Sequence, residues 1–218
     1  MSKAEPKPGT VSGAAPDPAE RLRRGPKLDP AGPEFWDLRF REGFKPWDAG
    51  GVPAALQQFL AREPAGRRVL IPGCGSGYEV RAFAAAGHEI VAIDFSPAAI
   101  EAARGVLGEL SRVLVQGDFF AHPLGEFDLV YERAFLCALP RPLWPRWAAR
   151  VAELIRPGGR LAGFFFWSDE ERGPPFGLKS GELEPLLAAG FERIEDAAVT
   201  GSIPVFADRE RWQVWRRR

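Results

Sequence analysis

The sequence predicts an α/β fold: a doubly wound, mostly parallel sheet with helices on both faces. Three observations carry this reading. From Arg67 onward, short apolar runs alternate with helical patterns, and such βα alternation demands parallel strands joined by crossovers. The run Val69-Leu70-Ile71-Pro72-Gly73-Cys74-Gly75-Ser76-Gly77 reads as a buried strand, a glycine turn and a helix start. Asp94 ends the next apolar run, 21 residues after Gly73, where a doubly wound sheet places a carboxylate against a ribose diol.

Each element has a local justification. Residues 1 to 30 hold six prolines, several charges and no aromatic residue. Such a stretch cannot bury enough apolar surface to offset ordering entropy, so a disordered N-terminal tail is expected there. The domain then spans 31–218. It opens with an aromatic lid segment, 33–51, in which Phe35, Leu38 and Phe40 suit a short helix ended before Gly50-Gly51. Val52 to Leu60 reads as a second helix. Arg68 to Ile71 is the first strand, and Gly77 to Ala86 a helix closed by Gly87. His88 to Asp94 is the second strand. Ser96 then caps a helix with Pro97 at its first position. Arg112 to Gln116 and Phe127 to Tyr131 are the third and fourth strands. Leu143, Trp147, Val151 and Leu154 recur at helical spacing after Pro142, until Pro157-Gly158-Gly159 ends that helix. Arg160 to Trp167 is apolar throughout and predicts an interior fifth strand. A helix over Ser180 to Ala189 and strands near Phe191 to Thr200 and Trp212 to Trp215 bring the sheet to seven.

Bulk composition narrows the function. Apolar residues make up 45% of the 218, enough for a sizeable core. Lys+Arg and Asp+Glu balance at 29 each, so no polyanionic partner and no nucleic acid is predicted. No apolar run approaches the length of a membrane span, and the N-terminus lacks the apolar core of a signal peptide. A cytoplasmic protein is expected, with a monomer as its state. The two cysteines, Cys74 and Cys137, show no C-x-x-C spacing and read as reduced, packed thiols. Two histidines, His88 and His122, offer no metal-ligand spacing, so no metal is expected. No G-x-S-x-G and no Ser-His-Asp set is present.

The chemistry-bearing residues fall at strand ends. Gly73, Gly75 and Gly77 let backbone approach a ligand without Cβ collisions. The dinucleotide pattern would need glycine at position 78, which is Tyr; the G-x-G-x-G form resembles motif I of the class I S-adenosylmethionine (SAM) methyltransferases. Asp118 and Phe119, after the third strand, suit an adenine amine and its face. Arg133, at the end of the fourth, could fork a carboxylate of cofactor or substrate, or ion-pair with Glu132 or another neighbour. Glu132 and residues 134–137, Phe135 among them, should face the same cleft. Trp47 lies in a turn between Pro46 and Asp48, and with Trp36 offers an aromatic face to a sulfonium cation.

Taken together these segments are similar to the thiopurine S-methyltransferase family, and to the plant and fungal halide/thiol methyltransferases. The carriers are Phe35-Trp36, Pro46-Trp47-Asp48 with Gly50-Gly51, Val69 to Gly77, Asp94 with Ser96, Gly117 to Phe120, Phe127 to Arg133 and Gly173-Pro174-Pro175-Phe176. The resemblance covers most of residues 34–217. It implies the seven-stranded, Rossmann-like class I methyltransferase fold, with SAM as cofactor and S-adenosylhomocysteine as product. It also implies SAM contacts for Trp36, Trp47, Gly73, Asp94, Asp118, Phe119 and Arg133, and a substrate-mouth loop of Pro174, Pro175 and Phe176. Phe40 and Phe135 are expected in the same substrate pocket; Phe40 stands where relatives carry Trp, and Glu132 where they carry Asp. Arg133 matches the thiopurine enzymes, whereas Phe135-Leu136-Cys137-Ala138 matches the halide/thiol branch.

The expected activity is methyl transfer from SAM to a small soft nucleophile, a thiol or heteroaromatic thiolate, which needs little help from a base. A halide, a selenium or tellurium oxyanion or another small acceptor is the alternative within the enzyme class. A non-catalytic SAM-binding module is the alternative outside it.

Overall fold

The computed structural model describes residues 17–206 and 208–218. Most of the expected tail, 1–16, lies outside the described residues. The rest of that stretch is not featureless. Helix α1 (Pro18–Arg24) starts on Asp17, whose side chain accepts from the Ala19 N–H, with Pro18 in the first turn. Arg21 of α1 pairs with Glu42, just past α2 (Pro33–Arg41). The composition argument underrated a short helix that is capped locally and tied to the rest through Arg21.

After α3 (Ala54–Leu60) the chain alternates as predicted: β1 (Arg68–Pro72), α4 (Tyr78–Ala85), β2 (Glu89–Asp94), α5 (Pro97–Leu107), β3 (Leu114–Gln116), β4 (Phe127–Arg133), α6 (Trp144–Leu154), β5 (Ile155–Phe166), α7 (Leu183–Leu187), β6 (Phe191–Ala198) and β7 (Glu210–Arg217). The seven strands form one sheet in the order β3-β2-β1-β4-β5-β7-β6. β7 runs antiparallel to both neighbours, and the pairs from β3 to β5 are parallel. The strand order reverses between β1 and β4, so a crevice opens beyond their carboxyl ends.

Period-2 alternation splits the core into two layers. Leu70, Val130, Leu161 and Phe165 face α6, packing with Trp147, Val151 and Leu154. Val69, Ile71, Leu129 and Ala162 face α3, α4 and α5, packing with Phe59, Val80, Phe83 and Ile100. Both faces are covered, which is why these strands read as continuous apolar runs.

Several boundaries differ from the sequence reading, two of them through a change in local structure. β5 begins at Ile155 rather than Arg160, directly after α6. Its pairing with β4 jumps from Phe127–Ile155 to Leu129–Arg160, so Pro157-Gly158-Gly159 is a bulge within the strand and not a terminating turn. β3 is shorter than expected because Gly108–Val113 forms a 3-10 turn first. Among the described residues no helix is long and apolar enough to cross a membrane.

Candidate active site

The carboxyl ends of β1, β2, β3 and β4 open into a single cavity of about 820 Å³, within the range of small-molecule sites. Gly73, Gly75 and Gly77 leave β1 with φ of +57°, +51° and +74°, a left-handed run that only glycine adopts freely. A side chain at Gly73 would also collide with Phe135, its Cβ falling 2.4 Å from the ring. Asp94, at the end of β2, is buried; its carboxylate accepts from the Gly75 N–H (3.0 Å) and the Ser96 N–H (2.9 Å). Burial pushes its pKa up to about 6, against the pull of those two N–H groups. Each oxygen keeps a free lone pair for a further donor.

Asp118 follows β3 and uses one oxygen to accept from the Phe120 N–H at 2.8 Å. Phe119 is buried beside it, edge-on to both Phe120 and Phe135 at 5.2 Å. Trp36, Phe40 and Trp47 form an edge-to-face cluster over the glycine turn, with ring separations of 5.4 and 6.1 Å to Trp47. All of these residues line the cavity, with Arg133, Pro174 and Pro175.

Two expectations need correction. Phe176 does not line this cavity: it packs against the core layer that includes Trp147, on the far side of the β4 end. Glu132 and Leu136 do not face the cleft. Tyr131 and Arg133 project into the cavity, and strand alternation therefore turns Glu132 to the other face. For Arg133 the structure selects one of the partners left open: it pairs not with Glu132 but with another neighbour, Glu210 of β7, at 2.7 Å. Its guanidinium also stacks over Phe164, 4.3 Å from the ring centre.

Glu132 has a supporting task instead. One carboxylate oxygen accepts from the N–H groups of Phe135 and Leu136, each at 2.9 Å, and so holds the turn that aims Phe135 at Gly73. The other oxygen is buried without a partner. Burial pushes its pKa up to about 7, against the pull of the Leu136 and Phe135 N–H groups and Arg133. A carboxyl whose pKa is raised on folding adds most to stability below its unfolded pKa. That contribution is lost as pH rises through the folded value. Urea unfolding at pH 5 and pH 8 should therefore show a loss at the higher pH, of which Glu132→Gln removes about 2 kcal/mol. An unchanged pH dependence in the variant would contradict this role. Asp94 acts in the same direction, so some loss should persist.

The sequence reading missed the latch that seats the aromatic segment. Lys45 donates to Asp48 and to Ser76, each at 3.0 Å; Ser76 donates to Asp48 at 2.8 Å, and the other Asp48 oxygen takes the Gly50 N–H at 2.8 Å. Burial raises the Asp48 pKa, but Gly50, Ser76 and Lys45 outweigh it and hold the carboxyl below its ordinary value. Asp37 of α2 accepts from Ser96 and from the Ala98 N–H, so the same segment also docks on the start of α5. A polar residue inside the glycine turn, Ser76, was the available signal. The Val205–Phe206 wall carried none.

The thiols and imidazoles offer no nucleophile or base here. Cys74 and Cys137 border the cavity but are buried, and burial, the largest cause, pushes both thiols well up. Neither His88 nor His122 lines it. Among the described residues, no group of three His, Cys, Asp or Glu side chains could hold a metal ion.

Comparison with known proteins agrees with this geometry. The model of the thiopurine S-methyltransferase family matches residues 31–218. A probable thiol methyltransferase 2 of Arabidopsis thaliana is 34% identical over 168 residues, covering 73% of this chain and 74% of the relative. Thiocyanate methyltransferase 1 of Brassica oleracea is 29% identical over 191 residues, covering 84% of each. Among solved structures, the 1,6-didemethyltoxoflavin-N1-methyltransferase of Burkholderia thailandensis, with bound S-adenosylhomocysteine, superposes with a TM-score of 0.70 at 19% identity. That alignment covers 88% of this chain and 92% of that one, and is a likeness of fold. A family match over nearly all the described residues, on the glycine turn and strand ends that build the cavity, assigns the chain: it belongs to the thiopurine S-methyltransferase family.

Proposed function

We propose that the protein is a SAM-dependent methyltransferase whose acceptor is a small soft nucleophile, a thiol or heteroaromatic thiolate. One observation supports this most: the ends of four parallel strands and an aromatic lid converge on one cavity that neither histidine lines and whose two thiols, Cys74 and Cys137, are buried. Bound there, SAM supplies an electrophilic methyl group on a sulfonium centre. The residues fit that cofactor. Asp94 has free lone pairs for the ribose hydroxyls, and Asp118 has a free oxygen for the adenine amine beside the Phe119 ring. Trp36, Phe40 and Trp47 offer aromatic faces to a cation. Arg133 uses one of its five N–H donors on Glu210 and keeps others for the methionine carboxylate.

The chain's part in the reaction is positioning and exclusion of water. The Lys45–Asp48–Ser76 latch ties the lid to the glycine turn, and Pro174, Pro175, Val205 and Phe206 wall the opposite side. A thiol ionises on its own at a useful level near neutral pH, so the absence of an imidazole is no obstacle. A second reading, a small soft anion such as thiocyanate, draws support from the Brassica oleracea relative's name and from Arg39 and Arg146 in the cavity wall.

The test is S-adenosylhomocysteine formation from SAM across a panel of an arenethiol, an alkanethiol, thiocyanate, iodide and selenite. Fastest turnover with the arenethiol supports the reading. Anions outpacing every thiol favours the second reading. Binding of SAM with no turnover of any acceptor would make the chain a binding module.

A further inference from the structure

We propose that Arg39 and Arg146 form an anion-reading rim on this cavity, which selects acceptor thiols that also carry a carboxylate. The inference rests on the thiol-acceptor reading above and narrows its substrate class. It begins with the arginines that line the cavity: Arg39, Arg133 and Arg146. Arg133 is paired with Glu210. Among the described residues, no carboxylate forms a salt bridge with Arg39 or Arg146, and no hydrogen bond holds the Arg146 guanidinium. Arg39 spends one N–H on the Phe35 carbonyl at 3.0 Å and stacks over the Phe35 ring, 3.2 Å from its centre. Arg146 stacks over Phe120 at 4.5 Å.

Their positions are specific. Arg39 lies on α2, on the face that carries Trp36 and Phe40 into the cavity. Arg146 lies in the first turn of α6. The two come from opposite sides of the sheet, since α2 docks on the start of α5 and α6 packs in the other core layer. Arg146 is exposed and Arg39 half-buried, which puts them at the solvent end of the cavity. Burial lowers the Arg39 pKa to about 10, the mark of a guanidinium short of water. The carboxylates of the lining stand elsewhere. Asp48 is held in the latch, Asp94 and Asp118 take backbone N–H groups at the strand ends, and Glu79 lies on α4 behind the glycine turn.

A half-buried cation without a counter-charge is costly in the free protein. The cofactor does not supply that counter-charge. Its one anionic group, the methionine carboxylate, is met by Arg133, and its ribose and adenine by Asp94 and Asp118. The acceptor end is otherwise apolar, walled by Phe40, Phe135, Pro174, Pro175, Val205 and Phe206. Such a wall takes an arene and gives no purchase on a charged substituent. A ring-stacked guanidinium does: the ring fixes its plane, and its edge forks a carboxylate. Arg39 keeps all but one of its N–H donors for this, and Arg146 keeps all of them.

Two acceptors of matched shape test the proposal. para-Mercaptobenzoate carries the carboxylate; para-mercaptobenzamide replaces it with a neutral amide. Arg39→Gln combined with Arg146→Gln should lower kcat/KM for the benzoate about 10-fold more than for the benzamide, the low end for a charged hydrogen bond removed. Arg39→Lys combined with Arg146→Lys keeps the charges without the fork and should recover part of that preference. Calorimetry should find S-adenosylhomocysteine affinity within about twofold of wild type in the glutamine variant, since the rim serves the acceptor. Should that variant fail to fold, the wild type carries the test. Added NaCl should lower kcat/KM for the benzoate and spare the benzamide, because an ion contact at the solvent edge is screened. Equal loss for both acceptors, weakened S-adenosylhomocysteine, or a benzoate rate indifferent to salt would overturn the proposal. A wild-type protein that methylates neither thiol would overturn the thiol reading itself, and this rim with it.

Discussion

Replacing Gly73 with alanine is expected to cost about 3 kcal/mol of stability and to reduce methyl transfer at least about 100-fold. Two costs add. Position 73 has φ of +57°, a left-handed backbone that strains an L-residue by about 1–2 kcal/mol. The new methyl group would also overlap the Phe135 ring, and overpacking of this kind costs about 1–3 kcal/mol. Phe135 cannot retreat freely, because it abuts Phe119 and its N–H is held by Glu132. In a chain of this size the melting temperature should fall by about 10 °C. Adding Phe135→Ala should restore the packing part of the loss and not the backbone part. A Gly73→Ala protein with wild-type melting and activity would show that the turn is not as tight as described.

Asp94→Ala should have the second largest effect. It removes the acceptor for the Gly75 and Ser96 N–H groups, so the turn and the start of α5 lose their common tie. It also removes the free lone pairs proposed for the ribose. The buried Ser96 N–H and the partly buried Gly75 N–H, left without a partner, together cost about 2 kcal/mol or more in stability. The lost contact should weaken S-adenosylhomocysteine by about 2 kcal/mol more, or roughly 30-fold. Asp94→Asn keeps one oxygen acceptor and should fall between wild type and alanine. Calorimetry giving Asp94→Ala an unchanged affinity would refute the ribose assignment.

The frame of this site was legible because it follows from chain geometry. Strand ends in an open α/β sheet meet at the switch point, so Gly73, Asp94, Asp118 and Arg133 could be placed from element order alone. What stayed hidden depended on side-chain direction or on distant pairing. Glu132 was aimed the wrong way because no residue of β4 had yet been fixed to one face; once Tyr131 and Arg133 line the cavity, alternation settles it. The partner of Arg133, Glu210, lies 77 residues away on an antiparallel strand, and no local pattern announces it. The same holds for the latch, where Ser76 meets Asp48 across 28 residues. Pro157-Gly158-Gly159 reads as a turn in any local window, yet the sheet absorbs it as a bulge in β5.

The claim that matters most is methyl transfer to a thiolate with no protein base. The direct measurement is the pH dependence of kcat/KM for a series of thiols of different acidity, at saturating SAM. The account expects an inflection that moves with each thiol's own pKa and survives in Glu79→Gln and Glu132→Gln. A single inflection shared by every thiol, and abolished by one of those substitutions, would place the base in the protein and contradict the mechanism.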